Sequence, residues 1–289
     1  MKSEIKAAVK EIRDDRERGA RQLALATLEA LRAIAPDCPG EEFRECTRAL
    51  ALARPMMAAT QNAAAWAWSR YLETGDAVGA VDDAIEAIEG SLEGMAAAAR
   101  RAVPTGTVMT YSYSSSVIEL LSRVRPRRVI VPEGRPAGEG LRAARELVGA
   151  GISLTLITEA QMALFVQEAD AVVVGADTIL PEGDLVNKIG TRLLALAARD
   201  ADVPFYSVTE TLKVAAPSQP KPFAAEEGDR KEVSREKWLE VRNVYFELTP
   251  ARLLTAYVTE NGLLDPADAH TYAEQAEVRW HALMNSHEA

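Results

Sequence analysis

Apolar positions in the first hundred residues recur at helical spacing. Leu23, Leu25, Leu28 and Leu31 mark one stretch, residues 41–72 continue it, and Val78, Val81, Ile85 and Ile88 line one side of an Ala- and Glu-rich segment over residues 76–101. Gly75 followed by Asp76 supplies a helix stop and a cap for the next helix. Residues 1–102 carry no strand pattern and are predicted to form an N-terminal helical domain of three or four helices. From Pro104 the period changes. Short β-branched runs occur at residues 107–110, 128–131, 153–157, 171–174 and 203–208, separated by helical segments such as 138–148 and 193–198. Strands alternating with crossover helices predict a doubly wound parallel sheet, so the chain reads as α/β with a second domain over residues 103–289. The Pro- and charge-rich residues 215–237 read as an exposed excursion. Residues 243–248 and 256–259 read as late strands before a C-terminal helix.

In such sheets ligands bind beyond the carboxyl ends of the strands, where Ser112, Arg135, Asp177 and Glu210 fall. The densest chemistry lies in residues 171–191, AVVVGADTILPEGDLVNKIGT. A buried strand of Val172, Val173 and Val174 stops at Gly175 and delivers the carboxylate of Asp177. Asn187, Lys188, Gly190 and Thr191 then precede the apolar run Leu193, Leu194, Leu196 and Ala197, which gathers a lysine and backbone amides where a helix begins, a place suited to an anion. On spacing alone, an Asp in a turn and a Lys on a solvated helix face fit this stretch equally well.

Composition narrows the function classes. A net charge of -10 over 289 residues argues against direct nucleic-acid binding, which needs a basic face to displace counterions. The longest apolar stretches are Ala-rich and broken by charges such as Glu86, Glu89 and Glu93, and the N-terminus lacks an apolar signal core, so a cytoplasmic protein without a membrane span is expected. Cys38 and Cys46 make no disulfide framework and read as packing thiols. His270, His281 and His287 all lie in the last twenty residues, which removes a His-based triad or zinc site from the body of the chain; neither metal nor cofactor is expected. Trp66 and Trp68, two apart on a helix, face different sides.

Several ordered motifs resemble one family. The 171–191 segment is similar to the GAD…NKIGT signature of the α, β and δ subunits of translation initiation factor 2B and their enzymatic relatives, methylthioribose-1-phosphate isomerase and ribose-1,5-bisphosphate isomerase. Residues 210–213 (ETLK) resemble the family's ETYK, residues 133–136 (EGRP) its ETRP, residues 246–250 (FELTP) its FDVTP, Arg18-Gly19-Ala20 the RGA phosphate loop and Arg54-Pro55 the RP of a TRP motif; the likeness runs from residue 18 to about 264. It implies a helical domain followed by a Rossmann-like domain, a phosphorylated sugar or nucleotide held between them, and a homodimer or higher homo-oligomer. Carried over, Arg18, Gly19, Ala20 and Arg54 would meet one phosphate, Asn187, Lys188 and Lys213 the sugar or a second phosphate, and Arg135 would close the rim. Arginine suits such places because its planar fork engages phosphate in a bidentate way.

The catalytic pair implied by the resemblance falls on Asp177 and Ser112, and there the chain departs from the isomerases. They carry Thr-His-Cys where this chain has Thr110-Tyr111-Ser112. A thiol with a pKa near 8.5 ionises after modest tuning, whereas a serine hydroxyl needs a neighbouring base. Ser112-Tyr113-Ser114 is closer to the non-catalytic factor subunits. The resemblance therefore implies a factor-like binding protein, or alternatively an aldose-ketose isomerase of a phosphorylated ribose such as ribose 1,5-bisphosphate or methylthioribose 1-phosphate.

Overall fold

The structure, a computed structural model, describes residues 3–15, 18–55, 57–220 and 227–285. Five helices come first among these: α1 (Ser3–Asp14), α2 (Ala20–Ile34), α3 (Glu41–Ala51), α4 (Ala58–Thr74) and α5 (Ala77–Ala102). The expected three or four become five because α1 precedes the Leu-rich stretch and the 41–72 pattern breaks near Pro55, whose ring disfavours a continuous helix. The break at Gly75 forms as read: Gly75 adopts φ +71 as the left-handed stop of α4, and the Asp76 carboxylate accepts from the amides of Val78 and Gly79 at 3.1 Å. The first turns of α4 are buried on every side (Ala58 to Ala65), so this helix is the hub against which α2, α3 and α5 pack. Trp68 is buried against Phe43 and Tyr71, while Trp66 is only partly covered. Cys38 and Cys46 are buried free thiols of this core.

The rest of the chain forms strands β1 (Thr107–Met109), β2 (Arg128–Pro132), β3 (Leu154–Ile157), β4 (Ala171–Val174), β5 (Thr178–Ile179), β6 (Leu185–Lys188), β7 (Phe205–Val208), β8 (Phe246–Thr249), β9 (Ala256–Thr259) and β10 (Gly262–Leu264). Between and after them run α6 (Ser115–Val124), α7 (Glu139–Gly149), the single turn α8 (Met162–Phe165), α9 (Thr191–Asp200) and α10 (Ala269–Met284). Seven strands form one sheet in the order β10-β9-β7-β4-β1-β2-β3, parallel except for the β9–β10 hairpin. All five early strand predictions fall within this sheet, as does residues 256–259. The predicted strand at 243–248 does not: residues 246–249 pair with β6 in a separate antiparallel sheet, β5-β6-β8, which aligns Asn187 with Glu247 and Lys188 with Phe246.

The strand order reverses between β1 and β4. A crevice opens at such a switch point beyond the strands' carboxyl ends, and the loops leaving β1 and β4 carry Ser112 and Asp177 into it. The C-terminal helix α10 turns away from the sheet and completes the helical core, with Ala276, Trp280 and Leu283 beside Phe43 and Trp68. Trp68 Nε1 donates to the carbonyl of Ala282 at 2.9 Å and Arg44 Nε to that of Leu283 at 3.0 Å.

Candidate functional site

A cavity of about 1400 Å³ lies between the helical and sheet halves. Its wall includes Arg18, Gly19, Ala20 and Arg54 from one half and Ser112, Asp177, Asn187 and Lys188 from the other. Two residues predicted for the same site stand elsewhere. Arg135 is exposed on the loop after β2, where its backbone amide donates to Glu159 at 3.0 Å, and it is not among the residues of the cavity wall. Lys213 lies buried behind the wall, 3.1 Å from Glu210, and reaches Asp177 through its field.

The helical end of the cavity is cationic, with Arg13, Arg18 and Arg54 on its wall. Gly19, the N-cap of α2, and Ala20 line this end, which brings the positive end of the helix dipole to it; the Gln22 side chain accepts from the Gly19 amide at 3.3 Å. Asp15 organises both motif arginines: its carboxylate accepts from Arg18 Nε at 2.7 Å, and its carbonyl accepts from the Arg54 guanidinium. Arg54 Nε also donates to the carbonyl of Ile12 at 3.0 Å, tying the end of α1 to the loop after α3.

Across the cavity, Ser112 holds φ +62, a left-handed conformation that is uncommon for a residue with a Cβ. Its neighbours fix it. The Tyr111 hydroxyl donates to the carbonyl of Ile189 at 2.7 Å, and Gly190 packs so closely on that ring that a Cβ there would sit 2.3 Å from the hydroxyl oxygen. Ser114 is the N-cap of α6, its side chain accepting from the Val117 amide, and Gly175 leaves room for it, since a Cβ on Gly175 would lie 2.7 Å from Ser114. Asp177 accepts no hydrogen bond among the described residues. Burial pushes its carboxyl up to about 6, against the opposing fields of Lys213 and Lys188.

At the start of α9, where an anion seat is predicted, the chain supplies an anion of its own. Asn187 and Lys188 end strand β6 just before the helix, and the amides of Gly190 and Arg192 both donate to Glu247 Oε1, at 2.6 and 2.9 Å. An internal carboxylate occupies the helix terminus. Lys188 Nζ lies 2.5 Å from Glu139 Oε1 and 4.9 Å from the centre of the Tyr245 ring, and Asn187 donates to Thr191 Oγ1 at 3.1 Å.

Behind this wall runs a buried charged row. Glu210 pairs with Lys213 at 3.1 Å and Arg21 at 3.2 Å and accepts from Ser116 at 3.2 Å. Burial works against its charge, but Lys213, its own backbone amide and Arg21 outweigh that and hold its carboxyl below the usual range.

The sequence reading missed Arg13, Glu139 and Arg142 on the wall, since each sits in a helical pattern like any solvated charge. The excursion over residues 215–237 is exposed only in part, with Ala215, Ala216 and Gln219 buried. Residues 231–240 are largely exposed, but Glu227, Asp229 and Glu232 line the cavity, and Tyr245, beyond the excursion, joins them with its hydroxyl donating to Glu232 at 2.6 Å. No cluster able to hold a metal ion and no helix long and apolar enough to cross a membrane occurs among the described residues.

Comparison with known proteins places this architecture. Residues 16–266 match the initiation factor 2 subunit family. The chain is 41% identical over 163 residues to a translation initiation factor eIF-2B subunit 2-like protein of Pyrococcus abyssi, covering 55% of this chain and 58% of that one. It is 32% identical over 289 aligned positions to the ribose 1,5-bisphosphate isomerase of Methanocaldococcus jannaschii, covering 92% of each. The crystal structure of a Pyrococcus horikoshii translation initiation factor eIF-2B superposes with a TM-score of 0.77 at 29% identity, covering 92% of this chain and 98% of that one.

Proposed function

Because this chain belongs to the initiation factor 2 subunit family, we propose that it binds a phosphorylated sugar or nucleotide in the cavity between its halves and releases it chemically unchanged. The observation that carries this reading is the polarity of the cavity. Arg13, Arg18, Arg54 and the N-terminus of α2 gather at one end, and the remainder sets the carboxylates of Asp177, Glu139, Glu227, Asp229 and Glu232 beside Lys188 and Arg142. A phosphate belongs at the first, where charge-assisted hydrogen bonds are strongest. Sugar hydroxyls, which donate hydrogen bonds, belong against the second.

Absence of turnover follows from Ser112. Moving a proton between adjacent sugar carbons needs groups that ionise near the working pH, and Asp177 supplies one at about 6. The resemblance places a thiol opposite it in the isomerases. Here that position is a hydroxyl, and the histidines of the described residues, His270 and His281, lie on α10 outside the cavity wall. The isomerase reading is supported by the 32% identity to the Methanocaldococcus jannaschii enzyme along nearly the whole chain and by the raised Asp177 carboxyl. Ribose 1,5-bisphosphate and methylthioribose 1-phosphate are therefore the substrates to try. Thermal melting with phosphorylated sugars and nucleotides tests binding directly: a ligand at a hundred times its dissociation constant adds about 2.7 kcal/mol. No stabilisation by any phosphorylated ligand would overturn the proposal.

The reading extends to a homodimer or higher homo-oligomer. Strand β3 is an edge of the large sheet, and Leu156 on it, Leu164 on α8 and Leu193 and Leu196 on α9 are exposed. Sedimentation at micromolar concentration checks this: a dimer or larger species is expected, and monomer alone contradicts it.

A further inference from the structure

Glu210 also lines a second cavity, of about 330 Å³, which shares no wall residue with the first. It lies where α4, α5 and α10 meet the loops after β7 and β9. Its volume is near the lower end for small-molecule sites, about 300–1000 Å³.

The charges on its wall are unusual. Arg279 of α10 is half-buried, with its guanidinium 5.3 Å from the centre of the Trp66 ring. It forms no hydrogen bond and no ion pair among the described residues, and burial holds its pKa below the ordinary value, opposed only by the field of Glu73. Glu260 follows β9. Its carboxylate accepts from the Thr211 amide at 3.1 Å and from the Thr211 hydroxyl, and it meets no cation within ion-pair distance among the described residues. The remaining acid, Glu210, is already neutralised by Lys213 and Arg21. One cavity thus presents a positive and a negative group that do not pair with each other.

We propose that this cavity binds a small zwitterion, an α-amino acid with an apolar side chain. Its carboxylate meets Arg279, whose planar fork fits a carboxylate in two places, and its ammonium meets Glu260. The side chain lies against the apolar surface of Trp66, Ile88 and Leu212. A dianion such as a phosphate ester is disfavoured by the carboxylates of Glu260 and Glu210, and a simple cation by Arg279. The inference stands apart from the reading of the larger cavity, because Arg279 and Glu260 do not line that site.

Isothermal titration of the full chain with the natural L-amino acids tests it. Saturable binding of at least one apolar amino acid is expected, weakened roughly tenfold or more both in Arg279→Gln and for the N-acetyl form of the same amino acid, which lacks the ammonium charge. The acetylated ligand needs no variant, so the test holds even if Arg279→Gln folds poorly; melting of that variant establishes whether it folds. Failure of every amino acid to bind, equal binding by a folded Arg279→Gln, or equal binding of the acetylated form would each overturn the proposal.

Discussion

Glu247 caps α9 from 57 residues away: its Oε1 takes the amide of Gly190 at 2.6 Å and that of Arg192 at 2.9 Å. The carboxylate comes from β8, the strand paired with β6, so one side chain fastens the small antiparallel sheet to the helix that follows the Asn187-Lys188 motif. Glu247→Ala leaves those amides uncapped. A cap of this kind is worth about 1 kcal/mol, which lowers the melting temperature by roughly 2–4 °C in a chain of this size. Inorganic phosphate should recover part of that loss, because it can occupy the vacated helix terminus. An unchanged melting temperature would mean that the cap carries no weight.

Asp177 makes stability fall as pH rises. Its carboxyl is pushed from 3.8 up to about 6, so between those values the folded chain binds a proton that the unfolded chain has released. Stability is therefore greatest with respect to this group below pH 3.8, and declines until pH passes about 6, by on the order of 3 kcal/mol. Asp177→Asn removes the cost. Melting curves at neutral pH should show the variant more stable than the parent, with the difference vanishing below about pH 4. A variant less stable than the parent at pH 7 would contradict this assignment of the charge.

Much of this was legible in the sequence. The parallel strands announced themselves as runs such as Val172-Val173-Val174, because a strand buried on both faces is apolar throughout. The same run fixed the position of Asp177. The residues before α9 carry no strand signal of their own, yet Asn187 and Lys188 belong to a four-residue strand whose partner lies about sixty residues on. Local pattern cannot carry that information. The resemblance brings Arg135 and Lys213 to the cavity, but Arg135 is exposed and outside the cavity wall and Lys213 is held behind it by Glu210. Motif order sets which loop a side chain occupies; its direction depends on the conformation that loop takes in the fold.

Lys188 is a cavity cation on the side assigned to the sugar or a second phosphate, and its loss should affect binding more than folding. Its ammonium is paired with Glu139, which is 27% exposed and can be rehydrated when the lysine is removed. Lys188→Ala should raise the dissociation constant for a phosphorylated ligand roughly tenfold or more, the value of one charge-assisted hydrogen bond, while changing the stability of the free protein by about 1 kcal/mol or less. Titration of variant and parent with the same phosphosugar measures this. Equal affinities would remove Lys188 from the site.

The most direct test is carbon NMR of ribose 1,5-bisphosphate and of methylthioribose 1-phosphate incubated with the protein. Ser112 in place of a thiol should leave the sugar bound but unconverted: protein-dependent broadening or shifts of the resonances of at least one ligand, with no ketose carbonyl signal accumulating. Accumulation of the ketose, retained in Ser112→Ala and abolished in Asp177→Asn, would contradict the reading and make the aspartate a sufficient acid and base.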